Sequence, residues 1–194
     1  MRITIYGGSF SPIHKGHIAL AKKVINENLA DEVWLMVSPH NPLKAVDELW
    51  PIELRLKLCL KAVENEKKIK VSDIETHLKK PSYTYDTLQA LSKLYPKNEF
   101  TLLIGSDNWA CFNKWANYQK ILDNYHILVY PRQGYKIDEA TLPSQVKILN
   151  APLLPYSSTE IRKLLGKSLS VKDMLPDGVG DLVEELTHQK ISSL

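Results

Sequence analysis

Apolar and polar positions change their period from block to block along this chain. Strand-length apolar or β-branched runs recur at 2–6 (RITIY), 31–38 (DEVWLMVS), 69–75 (IKVSDIE), 99–105 (EFTLLIG), 125–131 (YHILVYP) and 145–149 (QVKIL), and each predicts a β-strand. Between them the period lengthens. In 17–29 the apolar positions are Ile18, Leu20, Ala21, Val24, Ile25 and Leu29, the spacing of one helix face. A second helix is expected over 52–65, with Pro51 just before it. A third is expected over 82–96, entered at Ser82 or Thr84 and stopped by Pro96. The stretch 157–167 predicts a helix capped by Ser or Thr, with Gly166 past its end, and 180–190 predicts a last amphipathic helix. Strands alternating with helices predict an α/β fold, a doubly wound parallel sheet in one domain over 1–194, with a short helical part from about 157. The runs TLLIG and HILVY are apolar throughout, as central parallel strands buried on both faces require.

In such sheets ligands bind beyond the carboxyl ends of the strands. The unusual loops all follow strands: 7–17 the first, 38–50 the second, 105–118 the fourth and 131–134 the fifth. The functional residues should therefore collect along one edge. Composition narrows the classes. A chain of 194 residues can bury a sizeable core, and its net charge is only +3. The basic clusters ENEKKIK and HLKK read as solvated helix ends, so no nucleic-acid surface is expected. No apolar run approaches the roughly 20 residues that span a bilayer. The N-terminus MRITIYGG lacks the features of a signal peptide, so a cytoplasmic protein is expected. Cys59 reads as a reduced core cysteine, and Cys111 has no metal-spaced partner.

The first loop, YGGSFSPIHKGHIAL at 6–20, carries the chemistry. Gly7 and Gly8 are expected to turn the backbone and admit a ligand closely. A helix beginning near His14 offers free N–H groups to an anion. His14 and His17 fall on one face of that helix, and Gly16 between them withholds a side chain. Two imidazoles and a helix N-terminus facing one pocket suit a phosphate. The pattern is neither a Walker loop nor a dinucleotide fingerprint.

GGSFSPIHKGH resembles the signature of the HxGH nucleotidyltransferases, and YSSTEIR (156–162) is similar to their second motif. The stretches SYTYDTL (82–88), GSDNWACFNKWANY (105–118) and YPRQG (130–134) resemble bacterial nicotinate-mononucleotide adenylyltransferases. The resemblance implies a Rossmann-like fold and transfer of AMP from ATP to nicotinate mononucleotide, with Mg²⁺ held mainly through the ATP phosphates. It implies catalytic roles for His14, His17 and Arg162. It implies ATP contacts from Gly7, Gly8, Ser9, Phe10, His14, Gly16, His17, Gly105, Asp107, Arg132, Ser157, Ser158, Thr159 and Arg162. It implies acceptor contacts from Lys44, Thr84, Asp86, Trp109 and Trp115, with Trp115 stacked on the pyridine ring. Packing is the plainer reading of the aromatics, and at least one of Trp109, Phe112 and Trp115, taken as one helix, is expected in the core.

The chain departs from that pattern in three places. SPHNPLK displaces His40 relative to Lys44, Tyr156 stands where isoleucine is usual, and Ala116 stands where an aromatic is frequent. The sequence is compatible with a homo-oligomer and with no nucleic-acid or membrane partner. Two alternatives remain at this stage. One is an HxGH enzyme using phosphopantetheine, flavin mononucleotide or a cytidylyl acceptor; the other is a nucleotide sensor without turnover.

Overall fold

The computed structural model describes residues 1–39, 49–79, 81, 83–153 and 155–191. Its elements run β1 (Arg2–Gly8), α1 (Lys15–Asn26), β2 (Glu32–Val37), α2 (Ile52–Val63), β3 (Ile69–Ser72), α3 (Thr84–Leu94), β4 (Glu99–Gly105), α4 (Ser106–Trp109), α5 (Tyr118–Asn124), β5 (His126–Tyr130), β6 (Val146–Ile148), α6 (Ser158–Leu165) and α7 (Val179–Ile191). The six strands form one sheet in the order β3-β2-β1-β4-β5-β6, and every pairing is parallel. The order reverses between β1 and β4, so the loops leaving these two neighbours diverge and open a crevice above their carboxyl ends.

Strand periodicity sorts the core into two layers. In β2, Val33, Leu35 and Val37 face one side and Trp34 and Met36 the other. In β4, Leu103 joins the first layer, while Phe100, Leu102 and Ile104 join the second. The first layer is covered by Ala21 and Val24 of α1, Leu58 and Cys59 of α2, Ile161 of α6 and Val183 of α7. The second is covered by Leu88 and Leu91 of α3, with Phe112 and Ile121. Cys59 is a buried thiol, and burial pushes its pKa far upward, so it is inert. No helix among the described residues is long and apolar enough to cross a membrane.

Three local expectations change. The first helix ends at Asn26 because Asn28 turns left-handed at φ 55°. The third strand ends at Ser72, where Ile74–His77 forms a 3₁₀ turn. The aromatic stretch is not one helix: α4 stops at Trp109, Phe112–Lys114 makes a 3₁₀ turn, and left-handed Asn117 (φ 58°) opens α5. Phe112 is the member of the aromatic trio that enters the core.

Candidate active site

The loop after β1 contradicts one expectation. Gly7 and Gly8 remain inside the strand, paired with Met36 and Val37. The sharp turn falls on Phe10, whose φ is 45°. Such a conformation is costly for a bulky L-residue and marks a site held by its surroundings. The glycines serve clearance instead. A Cβ on Gly8 would meet the Phe10 ring at 3.0 Å, whereas one on Gly7 would meet nothing within 4 Å among the described residues beyond its chain neighbours. The space beside Gly7 is open to a ligand.

His14 caps α1 with extended backbone at φ −142°, and His17 lies one turn in. Their rings stack at 3.7 Å between centroids, inclined by 25°. The backbone N–H of His14 donates to His17 Nδ1 at 3.2 Å. With Nδ1 an acceptor, the His17 proton sits on Nε2. His14 is buried, and its Nδ1 has no hydrogen-bond partner among the described residues. Burial, assisted by the positive charge of Arg132, lowers its pKa to about 3, so this ring is neutral near pH 7.

The start of α6 docks onto the same loop. Ser157 caps it by accepting from the Glu160 N–H at 3.1 Å. The Ser158 hydroxyl donates to the Pro12 carbonyl at 3.0 Å, and Arg162 Nη1 donates to the Ser11 carbonyl at 2.7 Å. Arg162 Nη2 lies 3.5 Å from the Thr159 hydroxyl. The N-termini of α1 and α6 therefore approach one another, each with unsatisfied N–H groups and a partial positive charge.

On the other side of β1, the ends of β4 and β5 place Asp107 and Arg132 together, with Arg132 Nε 3.8 Å from Asp107 Oδ1. Both atoms are buried and have no hydrogen-bond partner among the described residues. Arg132 Nη2 donates to the Tyr130 hydroxyl at 2.9 Å, its backbone N–H donates to the Ser106 hydroxyl at 2.8 Å, and Tyr6 OH donates to Tyr130 OH at 3.3 Å. Burial opposes the Arg132 charge, but the Tyr130 and Tyr6 hydroxyls and Asp107 outweigh it and raise its pKa. A Cβ on Gly105 would collide with the Asp107 carboxylate and approach the Arg132 side chain at 3.1 Å. Among the described residues, a cavity of about 580 Å³ joins these groups, lined by His14, His17, Asp107, Arg132, Tyr156 and Ser157, among others. Gly16 lies on its wall, and Arg162 lies behind Ser11 rather than on the lining.

Of the expected acceptor residues, Thr84, Asp86, Trp109 and Trp115 do not line that cavity and sit toward α3 and α4. Thr84 opens α3, whose N-cap residue Tyr83 makes no side-chain cap, and Asp86 stands exposed in its first turn. Trp109 and Trp115 flank Phe112, at 5.2 and 5.3 Å between ring centroids, and both are half-buried. The Trp115 indole N–H has no hydrogen-bond partner. Lys44 and His40 lie outside the described residues. The sequence reading missed Tyr6 and Tyr130, since each sits in a strand that reads as plain core. The only signal was their position, directly before Gly7–Gly8 and two residues before Arg132. No three His, Cys, Asp or Glu side chains gather as a metal cage among the described residues.

Comparison with known proteins agrees with this geometry. The cytidylyltransferase-like family model matches residues 5–164. A Bacteroides thetaiotaomicron protein named "Probable nicotinate-nucleotide adenylyltransferase" is 43% identical over 192 residues, covering 99% of this chain and 95% of its own. A Bacteroides fragilis protein of the same name is 46% identical, covering 97% of this chain and 94% of its own. The solved Plasmodium falciparum nicotinic acid mononucleotide adenylyltransferase in complex with NaAD superposes with a TM-score of 0.81 at 27% identity, over 95% of each chain. With its HxGH loop, its parallel sheet and its near full-length relatives, the chain belongs to the nicotinate-nucleotide adenylyltransferase family.

Proposed function

We propose that this chain transfers the AMP unit of ATP to nicotinate mononucleotide, giving nicotinate adenine dinucleotide and pyrophosphate. The observation that carries the mechanism is the stacked His14–His17 pair at the N-terminus of α1, facing the N-terminus of α6. An oxygen of the mononucleotide phosphate attacks the α-phosphorus of ATP. A P–O bond forms, the bond from that phosphorus to the bridging oxygen breaks, and its electron pair leaves with pyrophosphate. The attacking group is already an anion, so the site needs no general base. Its task is positioning and charge stabilisation.

His17 Nε2–H donates to an α-phosphate oxygen as charge shifts in the transition state. His14, kept neutral by burial, offers a second imidazole edge to the same phosphates. Thr159 and the first amides of α6 hold the β- and γ-phosphates, and Arg162, bonded to the Ser11 carbonyl, adds positive charge behind them. The Ser158 hydroxyl already donates to Pro12, so its side chain fixes the helix on the loop. The space beside Gly7 receives the phosphate chain, and Asp107 with Arg132 holds the adenosine.

ATP enters as its Mg²⁺ complex. Mg²⁺ would be held mainly through the ATP phosphates, whose charge it would neutralise, since no three His, Cys, Asp or Glu side chains gather among the described residues. On the acceptor side, Trp115 offers a flat face to the pyridine ring, and the uncapped amides at Thr84 suit its carboxylate. Trp109, Asp86 and Lys44 complete that side. A cytoplasmic setting suits two unpaired cysteines and an ATP-dependent reaction.

The test uses ATP labelled at the α-phosphate. Label should move into the dinucleotide, with one pyrophosphate released per dinucleotide and none without acceptor. Binding of ATP with no label transfer would leave a nucleotide sensor instead.

A further inference from the structure

Arg55, in the first turn of α2, is fully buried at 1% exposure. Among the described residues no carboxylate accepts from it. Its guanidinium instead donates to four carbonyls: Trp50 from Nε at 2.8 Å, Ser9 and Ser38 from Nη1 at 2.7 Å each, and Pro39 from Nη2 at 3.0 Å. A buried cation with only neutral acceptors is costly, and general stability gives no reason to keep one. The four carbonyls belong to three places: the phosphate loop, the end of β2 and the approach to α2.

The Ser9 bond is the informative one. Its carbonyl belongs to the peptide that precedes Phe10, the residue with the left-handed backbone. Such strain persists only where neighbours over-determine it. The strained backbone directs the Phe10 ring over Gly8 and against His17, with 4.9 Å between ring centroids and an edge-on angle of 74°. Phe10 also meets Tyr6 edge-on at 5.7 Å, so the ring has little room to shift. A second tie reinforces the first. The Ser11 hydroxyl accepts from the Trp50 N–H at 3.0 Å, while the Ser11 carbonyl holds Arg162.

We propose that Arg55 is a positioning residue for the transfer step: by clamping the Ser9 carbonyl it fixes the Phe10 turn, and through the Phe10 ring it sets the orientation of the His17 imidazole. The same fork joins Pro39 and Trp50, so both ends of the β2–α2 connection are registered against the phosphate loop. The inference rests on the transfer reading of the site.

The test compares Arg55→Lys, which keeps the charge and loses the planar fork, with Arg55→Met and with unaltered protein. Expected for Arg55→Lys are a kcat lower by about 10-fold or more, KM values for both substrates within about 3-fold, and a shifted His17 ring resonance in ¹H–¹⁵N spectra. Arg55→Met should lose at least as much. A purely structural role would lower the melting temperature while kcat per folded molecule and the His17 resonance stayed put; that result overturns the proposal. If the Arg55 variants do not fold, Ser11→Ala decides. It cuts only the tie to Trp50, and a kcat lowered several-fold supports the clamp while an unchanged kcat overturns it. Absence of turnover in the unaltered protein would overturn the transfer reading and this role together, whereas equal turnover in variant and unaltered protein removes the clamp alone.

Discussion

Replacing His17 by asparagine and by alanine separates its two tasks. The imidazole accepts the buried His14 N–H through Nδ1 at 3.2 Å and, in the proposed transfer, donates Nε2–H to the α-phosphate. Asparagine carries an acceptor oxygen at the δ position and nothing at the ε position. Alanine removes both. Loss of one preorganised donor to developing charge costs about 2.7–4 kcal/mol of transition-state stabilisation, or roughly 10²–10³ in kcat. Both variants should show that loss. Alanine alone leaves the His14 N–H unsatisfied, which costs about 1–3 kcal/mol of stability. For a domain of this size, each kcal/mol shifts the melting temperature by about 2–4 °C. His17→Asn should therefore melt near the unaltered protein, and His17→Ala roughly 2–12 °C lower. Steady-state pyrophosphate release and a thermal melt on the same samples give both numbers. A His17→Asn enzyme with unchanged kcat would refute the donor role, and equal melting of both variants would refute the buried-acceptor role.

Gly7→Ala adds a methyl that meets nothing within 4 Å among the described residues beyond its chain neighbours, so the melting temperature should hold while kcat/KM falls about tenfold or more; unchanged kinetics would mean no phosphate passes there. Gly105→Ala drives a methyl into Asp107 and Arg132, and KM for ATP should rise well above that for the acceptor, whereas a shift confined to the acceptor would misplace the adenosine. Trp115→Ala should raise KM for the mononucleotide far more than KM for ATP; equal effects would return Trp115 to plain packing against Phe112. His14 titrates near 6.5 when unfolded and about 3 when folded, so between those values the unfolded chain binds more protons. Stability is thus lost as pH falls from about 6.5 toward 3, by about 2 kcal/mol at pH 5. In His14→Gln the melting temperature should fall less between pH 7 and 5, and parallel curves would contradict a neutral buried His14.

The sheet was legible because its strands alternate or run apolar in ways that only a two-sided core rewards, as Val33, Leu35 and Val37 against Trp34 and Met36 show. The loops were legible as sites but not as geometry. Sequence reasoning gave the turn to Gly7 and Gly8, where backbone freedom is cheapest. The structure spends strain on Phe10 instead, because its ring packs against His17 and its carbonyl neighbour is clamped by Arg55. Arg55 was invisible for a related reason. A cation on an amphipathic helix reads as solvated, and only tertiary contacts turn it inward. Tyr6 and Tyr130 were hidden in strands, where an aromatic needs no explanation beyond burial. The break of the aromatic stretch at Asn117 depends on a left-handed residue that periodicity does not encode. Ser158 was read as a phosphate ligand, but its hydroxyl instead holds α6 to Pro12, a pairing across 146 positions that no local pattern reveals.

The most direct measurement of the central claim is kcat/KM for pyrophosphate release with ATP and Mg²⁺, taken side by side for nicotinate mononucleotide, nicotinamide mononucleotide and phosphopantetheine. The account predicts turnover with nicotinate mononucleotide, favoured over the amide by about 10²-fold or more, because the proposed site sets the ring's carboxylate against the amides that open α3. Turnover with phosphopantetheine alone would keep the histidine chemistry and contradict the acceptor assignment of residues 84–115.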